Sequence, residues 1–177
     1  MTRYVYFSFH YRRDNWRASQ VRNSWVTKPN RQAAGFWDRA EWEQVKRKGD
    51  KAIKNWIDNQ IKGTSVTVVL IGAETSSRKW VRYEIQKSIE KGNGIIGVRI
   101  HNLEDRDGKS DVPGDLDFGL VDGEHTFEEL FPIYDWKDDD GYNNFGDWVD
   151  ISALISERPE LLPPTYRSIE PTRCIRE

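Results

Sequence analysis

The sequence predicts an α/β fold in three layers, with a central, mainly parallel sheet and helices on both faces. Three observations lead there. Strand-like and helix-like segments alternate from residue 3 to residue 100, which is the pattern of βαβ units. The strand-like segments are apolar on both faces, as in strands covered from two sides. Two of the helical segments stop at Gly63 and Gly92, where glycine allows the chain to turn back.

The elements follow in order. Tyr4 to Phe9 (YVYFSF) is aromatic and β-branched and reads as the first strand. Asp14 is placed to cap a helix over Asn15 to Val26, with Trp16, Val21 and Trp25 as its buried stripe. Thr27 to Asp38 reads as a loop holding a short strand at Ala33 to Trp37. Glu41 to Ile61 has helical apolar spacing, with a break at Gly49-Asp50. Ser65 to Ile71 (SVTVVLI) is the clearest strand, Arg78 to Lys91 the next helix, and Ile95 to Ile100 a further strand.

The polar stretch 101–126 reads as a long surface insertion. Phe131 to Trp136 supplies a last strand and Tyr142 to Ile155 a last helix, with Asp138-Asp139-Asp140 at its start. A Pro-rich tail covers 156–177. No repeat or boundary divides the chain, so residues 1–177 read as one domain with a core over about 3–155.

Composition narrows the function classes. With 27 basic and 29 acidic residues the net charge is −2, which lacks the basic excess of a nucleic-acid binder. Cys174 is the one cysteine, so no internal disulfide forms and a reducing, cytoplasmic setting is expected. No apolar run approaches the roughly 20 residues of a membrane span. Eight Trp among 177 residues imply a large core, a ligand groove or an interface.

Several motifs fail on spacing. Gly108-Lys109-Ser110 has Leu103 where a phosphate loop needs glycine. Asp105, Asp107 and Asp111 do not match a calcium loop. His10, His101 and His125 lack the paired spacing of metal ligands, so no metal is expected.

An open parallel sheet binds ligands beyond the C-terminal ends of its strands. Two segments lie there: Ser8 to Arg13 after the first strand, and Gly72 to Glu84 after the strongest one. Trp80 and Glu84 are four apart on the helix that follows, so they share a face. An indole stacks on a flat heterocycle, and a carboxylate accepts from ribose hydroxyls. Taken singly, Glu84 reads as an exposed helix residue, Trp80 as a core or helix-start anchor, Phe9 as core and His10 as a loop contact.

These segments have a familiar pattern. Tyr6 to Tyr11, Ala33 to Asp38, Thr64 to Gly72, Trp80 to Ile85, Tyr134 to Trp136 and Asp139 to Asn143 resemble the TIR-like proteins of the bacterial Thoeris anti-phage system. The resemblance spans roughly residues 3–150. It implies a flavodoxin-like fold, with NAD as substrate and no cofactor. It implies Glu84 as the catalytic carboxylate with Trp80 beside it. It places Phe9 and His10, and Ser8 before them, on the nicotinamide side; catalytic TIR domains carry Tyr then Arg where this chain has Phe9 and His10.

The implied activity is release of nicotinamide and formation of a cyclic ADP-ribose-type signal that activates a partner effector. Self-association is left open beside it, with neither nucleic acid nor membrane as a partner. Such chemistry suits a sparse site. Nicotinamide leaves a cation as a neutral molecule, and one carboxylate stabilises the oxocarbenium-like transition state. The alternative is a non-catalytic TIR-like adaptor whose aromatic residues serve an interface. A nucleotide binder without turnover is the third reading.

Overall fold

The computed structural model describes residues 2–36 and 39–158. Its five strands form one sheet in the order β2-β1-β3-β4-β5. They are β1 (Arg3–Ser8), β2 (Arg31–Ala34), β3 (Val66–Ile71), β4 (Gly94–Arg99) and β5 (Ile133–Asp135). Every neighbouring pair is parallel. The helices are α1 (Tyr11–Val26), α2 (Arg39–Arg47), α3 (Asp50–Ile61), α4 (Lys79–Lys91), α5 (Phe127–Leu130) and α6 (Gly141–Glu157). The expected three-layer α/β architecture is therefore present. Among the described residues, no helix is long and apolar enough to cross a membrane.

Alternation along β1 assigns its side chains to two layers. Val5, Phe7 and Phe9 join the core that α1 and α6 cover, with Ala18, Val21, Trp25, Phe145 and Val149. Tyr6 points the other way, into the core that α3 covers with Ile53, Ile57 and Ile61. β3, buried along its whole length, divides likewise. Val66, Val68 and Leu70 face α1 and α6. Val69 and Ile71 face α4 with Val81 and Ile85. Tyr6 and Ser8 thus look toward the α3 and α4 layer, which places the site.

Several expectations are corrected. Asp14 does not cap α1. The helix starts at Tyr11 behind His10, and Asp14 lies inside it, fully buried beside Arg17. Trp16 is 53 % exposed rather than core; Arg17, Ala18, Val21 and Trp25 form the buried stripe. Val21 and Trp25 are buried as expected, and a buried arginine rather than Trp16 continues their stripe, so apolar periodicity misplaced that one residue. The second strand starts earlier than expected, at Arg31, because its register is set by pairing with Arg3 to Tyr6 of β1. The predicted helical break is real: α2 ends at Arg47, and Gly49, at φ 91°, precedes α3.

The stretch 101–126 is not only a surface insertion. Its Leu103 joins one core, and Phe118 and Val121 another. Arginines of the regular elements hold its backbone. Arg17 donates to the carbonyls of Leu103 and Lys109, Arg99 to Gly114, and Arg82 to Asp117. The short α5 follows it, and its capping box, Thr126 with Glu129, was missed in the sequence. Asp140 starts α6 from a left-handed backbone without a side-chain cap, so the triple aspartate is not the expected carboxylate cap. The tail begins later than residue 156, because α6 runs through Glu157. The rest of that tail from Pro159, with Cys174, lies outside the described residues, as do Trp37 and Asp38.

Candidate active site

Glu84 stands at the centre of the site. It lies in the second turn of α4, on the side that packs against β1, and is 6 % exposed. Both carboxylate oxygens accept hydrogen bonds from β1. Tyr6 Oη donates to Oε1 at 2.7 Å, and Ser8 Oγ donates to Oε2. The two donors are two residues apart on one strand, so the period of the pleat presents both to the same carboxylate.

Burial pushes the Glu84 carboxyl up to about 7, while the donors Ser8 and Tyr6 pull it down. The Tyr6 phenol is driven well above its ordinary value by burial and then by the Glu84 charge beside it. Tyr6 therefore remains a neutral donor. This tyrosine was not a candidate in the sequence, where it read as one more strand aromatic. The signal was its even spacing with Ser8, which becomes legible once Glu84 is known to face that side.

The other predicted residues divide by face. Ser8 touches Glu84 directly. Trp80 lies one turn before Glu84, half-buried against the Tyr6 core, with its ring edge-on to Tyr83 at 6.0 Å. It borders an open cleft of about 500 Å³ shared with Lys54, Ser77, Lys79, Arg82, Tyr83 and Gln86. Phe9 lies on the other face of β1, with its ring 5.0 Å from Phe36 in the α1 and α6 core. The structure does not bring Phe9 and Glu84 together.

His10 occupies the junction between β1 and α1, where its Nδ1 is 3.8 Å from Glu74 Oε2. Burial lowers its pKa, Arg78, Arg13 and Arg12 lower it further, and Glu74 opposes them. Glu74 also receives Arg13 at 2.9 Å and Arg78 at 3.7 Å. This charged group joins the exit of β1 to the loop after β3. Gly72 in that loop has a steric reason: a Cβ there would lie 2.2 Å from Asp14 Oδ2. Burial raises the Asp14 carboxyl to about 6 against the pull of Arg17.

An all-parallel five-stranded sheet flanked by helices, with a buried glutamate on α4 and a half-buried tryptophan one turn before it, fits a TIR-like domain. The chain belongs to the family described as "Thoeris protein ThsB, TIR-like domain", whose model matches residues 6–105. It is 39 % identical over 191 residues to a protein of Bacillus cereus (strain MSX-D12), provisionally named cyclic ADP-D-ribose synthase ThsB1. That similarity covers 84 % of this chain and 100 % of the relative. The matched region contains Ser8, Phe9, His10, Trp80 and Glu84.

Proposed function

We propose that this protein cleaves NAD at the bond between nicotinamide and ribose and closes the ADP-ribose part into a cyclic signal for anti-phage defence. The observation that carries the reading is the buried Glu84 carboxylate held by Tyr6 and Ser8, in a chain whose 39 % identical relative is named for cyclic ADP-D-ribose synthesis.

Each residue has a part in this reading. Glu84 accepts from the ribose hydroxyls and faces the positive charge that grows on the ribose as nicotinamide departs with the bonding electrons. Trp80 stacks on a flat ring of the substrate from the cleft beside α4. Ser8 and His10 border the nicotinamide end, and Phe9 supports that edge from the core. A second oxygen or nitrogen of the same molecule then captures the ribose C1 and loses its proton. The product leaves and activates a separate effector protein. No cofactor or metal enters this scheme, and NAD itself is the substrate.

The cationic nicotinamide ring of the substrate also answers the raised pKa of Glu84. A positive charge close to a buried carboxyl favours the ionised form. NAD therefore binds best to the state that burial disfavours in the free protein, and its arrival draws the proton off Glu84.

The test is mass spectrometry of small molecules from phage-challenged cells that carry the wild type or Glu84→Gln. The expected result is loss of NAD and a new cyclic ADP-ribose species with the wild type alone. Equal protection against phage by both proteins, with unchanged NAD, would establish the adaptor reading instead.

A further inference from the structure

The two hydroxyls on Glu84 are not equivalent. Tyr6 lies in mid-strand, fully buried, with its ring in the core with Ile53, Ile57 and Ile61. Ser8 is equally buried but is the last residue of β1, at the strand end where a parallel sheet opens to ligands. We propose that Tyr6 is a positioning residue for NAD cleavage, keeping its hold on Glu84 Oε1 throughout, while Ser8 is the hydroxyl that yields Oε2 to the substrate ribose. This rests on the NAD reading above.

Sterics and hydrogen bonding favour that division. A serine hydroxyl is small and rotates about one bond, so it can turn to another acceptor. A tyrosine hydroxyl moves only with its ring, and this ring is locked in the core. If Tyr6 let go of Glu84, a buried donor would be stranded in an apolar layer. A ribose hydroxyl arriving from the open end of the strand therefore displaces Ser8 and leaves Tyr6 in place. One carboxylate oxygen stays fixed while the other is exchanged, which holds the carboxylate plane through the reaction.

The same contact controls charge. Once Ser8 turns away, Tyr6 is the remaining protein donor that favours ionised Glu84 against burial. Asp58 of α3 is the other charge acting on Tyr6, and it keeps the phenol protonated, as Glu84 does. Ser88 and Thr67, packed behind on α4 and β3, are neutral. Tyr6 thus donates without giving up its proton.

The test uses full-length protein with carboxyl-labelled glutamate. The Glu84 signal is assigned by its loss in Glu84→Gln and followed by NMR against pH. In Tyr6→Phe the Glu84 midpoint should rise by about one pH unit. With 3-fluorotyrosine at position 6, a stronger donor of similar shape, it should fall. The acid limb of kcat/KM should move the same way, so Tyr6→Phe loses kcat/KM near pH 7 and recovers it at higher pH, where its KM for NAD should match the wild type. Ser8→Ala should raise the free-protein midpoint as well, but it should also change KM at high pH, where Glu84 is ionised in both proteins.

A folded Tyr6→Phe with the wild-type midpoint, and a rate lowered by one factor at every pH, would make Tyr6 a packing residue and overturn the proposal. If Tyr6→Phe does not fold, an unchanged midpoint with fluorotyrosine overturns it. Unchanged NAD in challenged cells carrying either the wild type or Glu84→Gln would remove the NAD reading, while the titration would still report whether Tyr6 holds the carboxyl.

Discussion

Thr67 of β3 donates its hydroxyl hydrogen to Ser88 of α4 across 2.6 Å of buried core. The direction follows from Ser88, whose single hydrogen goes to the Glu84 carbonyl at 2.7 Å. Asn93 in turn donates to Thr67 at 3.1 Å and to Thr64 at 2.9 Å. A directed chain thus runs from the turn after α4, through the middle of the sheet, to the backbone of Glu84. It fixes the helix against the sheet one turn beyond that residue. Ser88→Ala is expected to strand the Thr67 donor, at about 1–3 kcal/mol. Thermal unfolding should show a midpoint several degrees lower, and a midpoint within one degree of wild type would refute this role.

Arg17 ties α1 to the irregular stretch after β4. It is buried, pairs with Asp14 at 3.4 Å, and donates to Leu103 and Lys109 carbonyls at 2.8 and 2.9 Å. Arg17→Met keeps the length and removes every donor. Breaking a buried pair by removing one partner costs about 3–5 kcal/mol. Amide exchange should accelerate across residues 101–111 more than in β3. Uniform acceleration would mean that Arg17 supports the whole fold rather than this segment.

Stability should depend on pH through Glu84. Its carboxyl lies at about 7 in the folded protein against 4.5 for an ordinary glutamate. A carboxyl raised by folding binds its proton more tightly in the native state. Its contribution is therefore complete below about 4.5 and is lost as pH rises to about 7. Glu84→Gln removes this loss. The variant should gain on the wild type by about 3 kcal/mol, at most, between pH 4 and pH 8. Denaturant titrations at the two values check it, and parallel behaviour of the two proteins would count against the buried, raised carboxyl.

Trp80 should act on substrate binding rather than on folding. It is half-buried at the edge of an open cleft, with Lys79 Nζ 4.6 Å from its ring centre. Stacking of a base on an aromatic ring contributes about 1–3 kcal/mol. Trp80→Ala should raise KM for NAD about tenfold or more, and Trp80→Phe less. A drop in kcat with unchanged KM would place the ring nearer the reacting bond than the cleft suggests.

The order of strands and helices was legible along the chain because β1, β3 and β4 are short apolar runs between helices of regular spacing. Glu84 and Trp80 were legible as a pair because four residues bring side chains to one helix face, and the family pattern marked them. The sequence by itself therefore determined the layer architecture and the family, and it singled out Glu84 as the candidate carboxylate. Tertiary structure alone decided what faces that carboxylate. Tyr6 and Ser8 are 78 and 76 residues from Glu84, and Phe9, next to Ser8, looks the other way. Arg17 and Asp14 are equally hidden in sequence, since charged residues read as solvated until a fold encloses them. The physical reason is common to all of these. Periodicity reports which residues share a face of one element, whereas burial, hydrogen bonding and pKa depend on which face of which other element arrives opposite.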